Sequence, residues 1–508
     1  MLALTKKLKT IPLIFVFMVV FISFILYSYR LIPSYSFDSD FARDLSEMFD
    51  ISQGKFKLLG PNSSFGGLQT GPYYYYIFVP IFLLTRFNIN SVLLMNVLLY
   101  SLALGYFFYK AAIKYNLLKA ALSTASLALF PLFIFAARNP GNAFTYLPFL
   151  LFFLTYLVFD EYEKKPILFF LGFLAGLIMN FHYSNTTILI FLSLLILLTL
   201  NKKVRIVYFL FGFGLAFLPL IFFEIRHGFI MLKTTFLTKS SQGFLENRQL
   251  AGAAGGNKNL LVNFFFISQE VKKYLMLNPL LYFILTALLF LKQSFHKKFL
   301  YLYLTALASF LFLVIALRFQ YAFFYTFPVI LLLYFTFVVL LLESRYFFLL
   351  LILPFISVSQ FPSSLYGKST RPAKKFQNAV EYSIRNGLVS KSDKFNIISV
   401  RPNVVITPHG QEYRLFFKMK GYRPDSIFEY DKSEILLVFS EDPGFKLNSL
   451  NSWEINQFGK AFIKNREEFS TDSIKIYKIT KNYFTWKSVP TKYPTNAETI
   501  PIAIISTP

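Results

Sequence analysis

Four charged side chains lie within seven residues in the segment Asp38-Ser39-Asp40-Phe41-Ala42-Arg43-Asp44, just after the first long apolar run of the chain. Only 15% of the residues in this sequence are charged, so a cluster at this place calls for an explanation. A carboxylate that is partly dehydrated near a lipid surface becomes a better base for proton abstraction. The segment, called the polar island below, therefore predicts a catalytic site at a membrane surface.

The spacing of residues in and after the polar island is typical of a helix that lies in a membrane interface. Charged residues recur at helical intervals along one face, namely Asp40, Arg43, Asp44 and Glu47. Apolar residues occupy the opposite face, namely Phe41, Leu45 and Met48. One face would then be wet and the other would contact apolar surroundings. The alternative is that Asp40 only caps this helix and that the other charges form a solvated face.

Further polar residues stand at the ends of apolar runs. They are Tyr74, Arg138, Asn139, His182, Glu224, Arg226 and His227. A histidine at such a place is often a capping or half-buried residue, and a Glu-Arg pair near the membrane is often an internal ion pair. The tyrosines at positions 73–76 also suit the membrane interface as anchors. Each of these residues is a candidate for substrate contact that also has a structural explanation.

The elements that must position these residues are membrane helices. With 508 residues, 55% hydrophobic content and a mean hydropathy of +0.52, the chain is too apolar for a soluble protein of this length. Its formal charge of +25 is explained mostly by Lys and Arg in the short connections between apolar runs, where they set topology. No phosphate-binding glycine loop or RNA-binding signature accompanies these charges, which argues against nucleic acid as a partner. The absence of cysteine excludes disulfides and thiolate metal sites.

The apolar segments and the charges between them predict the topology. The segments lie near 11–29, 73–89, 91–109, 118–137, 143–159, 166–180, 186–200, 205–224, 274–291, 299–317, 321–342 and 345–358. Three lysines before the first segment indicate an uncleaved helix with a cytoplasmic N-terminus. The later basic connections fall on the cytoplasmic side only if one early segment does not cross. The best candidate is Gly71–Pro80, in which four tyrosines favour the interface and Pro80 interrupts the apolar run. We therefore expect a surface-lying or re-entrant helix there, about eleven transmembrane helices, a first external loop at about 30–90 and an external C-terminus.

The composition becomes polar after the last apolar segment. Strand-like stretches at Phe395–Val400, Glu434–Ser440 and Ser473–Thr480 and a helical pattern at Pro372–Asn386 predict a small α+β domain. We therefore divide the chain into a polytopic α-helical membrane module at 1–360 and an extracytoplasmic domain at 361–508. A loose tail at Pro490–Pro508 and a flexible external loop at Ala251–Gly256 complete the prediction.

Several short motifs stand in order between residues 10 and 230. They are Asp40-Phe41-Ala42-Arg43-Asp44, the segment Leu59 to Gly67, Thr70-Gly71-Pro72-Tyr73-Tyr74-Tyr75, Arg138-Asn139-Pro140 with Leu147-Pro148, Asn180-Phe181-His182-Tyr183, and the segment Pro219 to Phe229. Together they resemble the motifs of bacterial glycosyltransferases that use a lipid-linked sugar and share the GT-C fold. Protein O-mannosyltransferases and the aminoarabinose transferase of lipid A belong to this group. The resemblance implies a GT-C-like fold with interfacial helices in a large first external loop.

The resemblance also implies a reaction at the external face of the plasma membrane. An acceptor hydroxyl or amine would attack the anomeric carbon of a sugar carried on polyprenyl phosphate, with inversion. In the family, an acidic residue at the start of the first external loop is the base; the matching position is Asp40, and Asp38 is the alternative alignment. Cations should surround the leaving lipid phosphate, and Arg43, Arg138 and Arg226 are the candidates. The acceptor would be a lipid, a glycan or a protein. The remaining polar residues at the helix ends would contact the donor phosphate or another part of the substrates.

The resemblance favours a mechanism without a metal or another cofactor. Asp38-Ser39-Asp40 could bind a divalent cation, but Asn139 stands where some relatives have an acidic residue. Relatives of the aminoarabinose type have a Glu-Lys pair where this chain has Gln69 and Thr70, which leaves the phosphate to other cations.

Two other functions remain as alternatives. A transporter or flippase of a lipid-linked or envelope glycan would also need many helices, but it commonly places polar groups at the membrane midplane, whereas the candidates here stand at predicted external helix ends. A membrane-anchored binding protein would leave the polar island unexplained.

Overall fold

The computed structural model describes residues 13–61, 68–159, 163–236, 260–275, 277–292, 297–316, 323–359, 363–402, 409–450, 452–459, 463–471 and 474–481. Outside these ranges lie residues Asn62–Gly67 of one motif, the predicted loop Ala251–Gly256 and the predicted tail Pro490–Pro508. The described residues form two compact units. The membrane unit contains residues 13–31 and 56–367, and the C-terminal unit contains residues 32–55 and 368–481. The helix of the polar island therefore belongs to the same unit as the C-terminal strands.

The membrane unit consists of helices. The α-helices are Leu13–Ser28, Tyr73–Leu84, Ile89–Lys114, Leu117–Ala128, Pro131–Ala137, Asn142–Thr145, Leu147–Phe159, Lys165–Phe181, Thr186–Thr199, Ile206–Ala216, Leu218–Arg226, Ile230–Phe236, Leu260–Leu275, Pro279–Lys292, Lys297–Ala316, Phe327–Glu343 and Ile352–Ser359. The 3₁₀ helices are Tyr183–Asn185, Lys203–Arg205, Phe323–Thr326, Phe347–Leu351 and Ser363–Tyr366, and a short α-helix at Leu31–Ser34 marks the boundary between the units. Helices suit these apolar sequences because a bilayer offers no partner to backbone N–H and C=O groups.

Five described helices are long and apolar enough to cross a membrane, and the number rises to eight if each of three bent helix pairs is one span. The bends, of 62°, 57° and 70°, precede helices that have Pro131, Pro219 or Pro279 in the first turn. Proline explains such breaks because it lacks the N–H that would continue the preceding helix. The expected total of about eleven spans stays a prediction.

The helix Tyr73–Leu84 has the length expected of a segment that does not cross. Its 12 residues contain Pro80 and extend for about 18 Å, whereas the hydrocarbon core of a bilayer is about 30 Å thick. Ile230–Phe236 and most of Leu260–Leu275 lie between the predicted apolar segments 205–224 and 274–291, where the sequence predicted no helix.

The C-terminal unit contains a four-stranded sheet. The strands are β1 (Phe395–Val400), β2 (Ile435–Ser440), β3 (Ile463–Thr471) and β4 (Ile474–Lys481), in the order β1-β2-β4-β3. β1 and β2 are parallel, with Phe395 opposite Ile435, and the other pairs are antiparallel. The α-helices of the unit are Ser39–Ser52, Ala373–Arg385, Gln411–Met419 and Trp453–Phe458, and a 3₁₀ helix spans Leu447–Ser449.

The predicted elements of this unit are confirmed to within one residue for β1, β2, β4 and the helix Ala373–Arg385. Sequence analysis missed β3, an edge strand in which polar residues outnumber apolar ones. Edge strands are often polar because their free side faces water. The core on one face of the sheet contains Leu436 and Val438 of β2, Ile479 of β4, and Ile455 and Phe458 of a covering helix.

Candidate active site

The helix that carries the polar island, called the island helix below, extends from Ser39 to Ser52. Asp38 is its N-cap, because the Asp38 carboxylate accepts a hydrogen bond from the backbone N–H of Phe41 at 2.8 Å. Such a cap satisfies one of the donors that the start of a helix leaves without a partner. The capping role considered for Asp40 thus falls to Asp38, and Asp40 lies in the first turn.

Arg43 connects two carboxylates of the island. Its Nη1 atom lies 2.9 Å from Asp40 Oδ1, and its Nε and Nη2 atoms lie 3.0 and 2.9 Å from Asp44 Oδ1. The Asp40 side chain is 83% exposed, so its ion pair with Arg43 contributes about 1 kcal/mol or less. The Asp40 carboxylate can therefore exchange Arg43 for another partner at little cost.

Asp44 lies in a different environment from Asp40. Its side chain is only 3% exposed, so the expectation that Asp44 belongs to a wet face is wrong. Burial raises the pKa of the Asp44 carboxyl to about 6, although Arg43 acts in the opposite direction. The island thus contains a capping, an exposed and a buried carboxylate within seven residues.

The apolar face of the island helix packs inside the C-terminal unit. Phe41, Leu45 and Met48 are buried, and the helix packs on Gln411–Met419, called the support helix below. Just before the island helix, the buried ring of Phe37 lies within 6 Å of the ring of Phe416 in the support helix. The apolar stripe predicted from the spacing is therefore covered by protein.

In the membrane unit, three motifs meet at the end of the helix Lys165–Phe181. The backbone N–H of Gly71 donates to the Asn180 carbonyl at 3.0 Å, and the Tyr183 hydroxyl donates to the Gln69 carbonyl at 2.6 Å. Gly60 pairs with Thr70 through its N–H at 2.8 Å. At Gly71 a Cβ atom would overlap the Asn180 side chain, so glycine permits this close approach. These three motifs thus form one packed junction.

Three of the predicted substrate contacts in this unit bind backbone carbonyls. The Tyr74 hydroxyl donates to Pro140, and the Asn139 amide donates to Phe135 at 2.7 Å. Arg138 is 3% exposed, and its guanidinium donates to the carbonyls of Tyr27, Tyr29 and Leu365 at 2.9, 2.7 and 3.2 Å. These contacts satisfy acceptors at helix ends, which is a structural task.

His182 lies between the helix Lys165–Phe181 and the 3₁₀ turn Tyr183–Asn185. Its Nδ1 atom accepts a hydrogen bond from the Ser184 backbone N–H at 3.2 Å. Loss of water lowers the pKa of His182 to about 4, so the ring is neutral near pH 7. A neutral ring whose Nδ1 is an acceptor carries its proton on Nε2, and this N–H is available as a donor.

The remaining candidates lie in the last turn of the helix Leu218–Arg226 and at the residue that follows it. The Glu224 carboxylate accepts hydrogen bonds from the N–H groups of Met231 and Leu232 at 3.0 and 3.1 Å, and so caps the helix Ile230–Phe236. The His227 ring stacks on Phe223, and its Nδ1 donates to the Phe223 carbonyl at 2.8 Å. Arg226 is exposed and has no salt bridge or hydrogen bond to the described residues. The internal Glu-Arg ion pair considered above does not form.

The candidates divide between the two units. Asp38, Asp40 and Arg43 belong to the C-terminal unit, and the others belong to the membrane unit. Among the described residues, no group of three or more His, Asp and Glu side chains could hold a metal ion.

Comparison with solved structures identifies the architecture. The apo structure of ArnT from Cupriavidus metallidurans aligns with a TM-score of 0.57 and 11% identity, covering 92% of this chain and 97% of that chain. ArnT from the same organism bound to undecaprenyl phosphate gives the same TM-score and identity, with 92% and 98% covered. The chain has the ArnT fold. The expected GT-C-like fold is thereby confirmed.

Other comparisons add little to the ArnT likeness. The Archaeoglobus fulgidus oligosaccharyltransferase in complex with Zn and sulfate aligns with a TM-score of 0.46 and 13% identity, covering 83% of this chain and 67% of that chain. No family model matches the sequence, and no curated protein matches it significantly.

Sequence analysis missed two features of the site within this fold. Burial of Asp44 could not be read from helical spacing, because Asp44 lies beside Arg43 on a charged face. The contribution of the support helix was also missed, although a strongly amphipathic pattern at Gln411–Met419, with Tyr413, Phe416 and Phe417 buried, was a signal for it.

Proposed function

We propose that this protein is an inverting glycosyltransferase that moves a sugar from polyprenyl phosphate to a lipid, glycan or protein acceptor at the external face of the plasma membrane. The observation that carries the proposal is an exposed carboxylate, Asp40, one turn from a cation in a chain with the ArnT fold. The undecaprenyl phosphate bound by one ArnT structure supports a lipid-phosphate leaving group. A reaction at the external face requires the proposed topology, in which the N-terminus is cytoplasmic and the C-terminal domain is extracytoplasmic.

Asp40 is the proposed base. The acceptor hydroxyl or amine gives its proton to the Asp40 carboxylate while its oxygen or nitrogen forms a bond to the anomeric carbon. The bond from that carbon to the phosphate oxygen breaks, and polyprenyl phosphate leaves with the bonding electrons. Asp38 is the weaker candidate because its carboxylate already serves the helix start, and Asp44 is excluded from water.

The lipid phosphate needs cations that can change partners. Arg43 meets this need, because its bond to exposed Asp40 is weak and its bonds to Asp44 hold the guanidinium in place. Arg226 is the second proposed phosphate ligand, since none of its donors is engaged by the described residues. The Nε2–H of His182 is a proposed neutral donor to substrate oxygen. Tyr74, Arg138, Asn139, Glu224 and His227 would act by maintaining the local structure.

Transport is the alternative, and the three bent helix pairs favour it, because transporters use interrupted helices. In transporters, however, the breaks expose polar groups to the substrate. Two of the breaks here contain only Leu129 with Phe130, and Phe217. These two breaks supply no polar side chain that could bind a sugar, whereas Asp40 and Arg43 lie on another helix, so the enzyme remains the better proposal.

The test is sugar transfer by the purified full-length protein in liposomes. The donor is a panel of labelled polyprenyl-phosphate sugars, and the acceptor is an envelope fraction from cells that lack the protein. We expect labelled product and free lipid phosphate from the wild type, and a loss of at least a thousandfold for Asp40→Asn, because a general base and its charge are both removed.

Asp38→Asn is the matched variant, because asparagine caps a helix as well as aspartate does; it should keep most of the activity. Glu429→Gln, at a partly exposed carboxylate of the C-terminal unit that pairs with Lys432, controls for loss of surface charge. Normal transfer by Asp40→Asn would refute this assignment, and loss of transfer in Asp38→Asn alone would make Asp38 the base.

A further inference from the structure

Within the C-terminal unit, residues from the later part of the chain bind the island helix near its start, in its middle and at its end. Before the first turn, the backbone N–H of Phe37 donates to the Arg371 carbonyl at 2.8 Å. In the middle, Lys418 Nζ donates to the Ser46 hydroxyl at 3.0 Å and to the Ser46 carbonyl at 3.2 Å. At the end, the same Nζ atom lies 2.6 Å from Asp50 Oδ2. One ammonium group of the support helix therefore binds two successive turns of the island helix.

The surroundings of Lys418 make this contact strong for an ion pair near a protein surface. The Lys418 side chain is 26% exposed and that of Asp50 is 13% exposed, so water screens the pair only partly. The ammonium donates to three oxygens, which uses its full donor capacity. Asp50 has a second partner in Lys55, at 3.2 Å, so the carboxylate keeps one cation if Lys418 is replaced.

We propose that Lys418 is a positioning residue for sugar transfer, which fixes the island helix on the support helix and so fixes the direction of the Asp40 carboxylate. This inference rests on the proposed function. Asp40 stands ten residues before Asp50 on a continuous helix, so a rotation or shift at the Lys418 contact moves the carboxylate as well. A displacement of about 1 Å at a reacting group can reduce the rate by about a hundredfold.

The proposal gives the C-terminal unit a task in catalysis that the sequence division at residue 360 does not suggest. A domain that only bound the acceptor would affect the KM for the acceptor. A domain that fixes the base affects kcat, because the geometry of proton transfer matters in the transition state.

The experiment compares Lys418→Met with Lys420→Met in the full-length protein. Methionine keeps much of the aliphatic stem and removes the ammonium. Lys420 directly follows the support helix, and its Nζ atom lies 3.0 Å from the carboxylate of Glu381 in the helix Ala373–Arg385. Lys420 is therefore a cation at a similar place that pairs with a different helix. We expect kcat to fall 10- to 100-fold in Lys418→Met with the KM values for donor and acceptor unchanged within twofold. Lys418→Arg should restore most of the rate, and Lys420→Met should resemble the wild type.

Hydrogen exchange of the peptide covering residues 39–52 supplies a measurement that does not depend on activity. We expect faster exchange in Lys418→Met and wild-type exchange in Lys420→Met. If Lys418→Met fails to fold, Asp50→Asn takes its place, because it removes the negative charge of one of the two residues on the island helix that bind Lys418; kcat should then fall and exchange should rise as expected for Lys418→Met.

Unchanged kcat in a folded Lys418→Met protein, or a loss confined to KM, would overturn the positioning role. Unchanged exchange would overturn the contact on which the role depends. Absence of transfer by the wild type with every donor would instead reject the proposed function, while the exchange data would still decide whether Lys418 holds the helix.

Discussion

Candidate residues of the membrane unit mostly bind backbone groups, whereas those of the polar island mostly bind one another. Arg138, Asn139 and Tyr74 donate to carbonyl oxygens, and Glu224 accepts from two N–H groups. In a bilayer these backbone groups have few other partners, so polar side chains at helix ends are recruited to satisfy them. The polar island caps its own helix with Asp38 and leaves Asp40 exposed. A polar side chain beside a membrane is therefore a weak indication of chemistry, and a polar side chain that stays exposed is a stronger one.

Arg138 and Arg226 allow buried and exposed polar side chains to be compared for the same residue type. Arg138→Ala should lower the free energy of unfolding by about 3 to 5 kcal/mol, because three backbone carbonyls lose a charged donor in a buried place. Thermal unfolding of the detergent-purified protein measures the loss. Arg138→Lys should recover part of it, since lysine keeps the charge but has a smaller donor set. A wild-type melting temperature in Arg138→Ala would contradict the structural role.

Arg226→Ala should have the opposite profile, with normal thermal unfolding and weakened donor binding. We expect the KM for the polyprenyl-phosphate sugar to rise about tenfold, which corresponds to about 1.4 kcal/mol, because an exposed cation that binds phosphate contributes a charge-assisted contact. Transfer kinetics at several donor concentrations measure the change. Lys202→Ala removes an exposed cation from a connection predicted to be cytoplasmic and should have no effect. An unchanged KM in Arg226→Ala would remove Arg226 from the proposed site.

More of the fold than of the candidate site could be predicted from the sequence. Apolar runs and motif order were enough for a GT-C-like membrane fold, and alternation with turn residues was enough for β1, β2 and β4. Helical spacing placed Phe41, Leu45 and Met48 on one face, but it could not say what covers that face. The covering element, Gln411–Met419, lies more than 350 residues along the chain. Such contacts depend on tertiary packing, which local periodicity does not encode.

The functional ranking of the charged residues could not be predicted for the same reason. Arg138 and Arg226 both follow apolar runs, and nothing in their neighbours indicates that one guanidinium reaches the carbonyls of Tyr27 and Tyr29 while the other has no partner in the described residues. Asp40 and Asp44 both lie on the charged side of the island helix, yet only Asp44 is buried. Spacing assigns a residue to a face, and burial is decided by the neighbouring elements.

Asp44 allows the smallest and most specific test of this contrast. Its folded-state pKa of about 6 lies above the usual value of 3.8, so the folded protein holds this proton more tightly than the unfolded chain does. The resulting stabilisation is present in full below about pH 4 and is lost as the pH rises through 6. The side chain in Asp44→Asn cannot ionise, so its stability should lack this dependence on pH. As the pH rises from 5 to 8, the free energy of unfolding of the variant should therefore increase by about 1 kcal/mol relative to that of the wild type. Thermal unfolding of both proteins at four pH values measures the difference, with Asp393→Asn at a more exposed carboxylate as the control. Parallel profiles for Asp44→Asn and the wild type would mean that Asp44 is no less hydrated than Asp40, and the division of the island into exposed and buried carboxylates would fail.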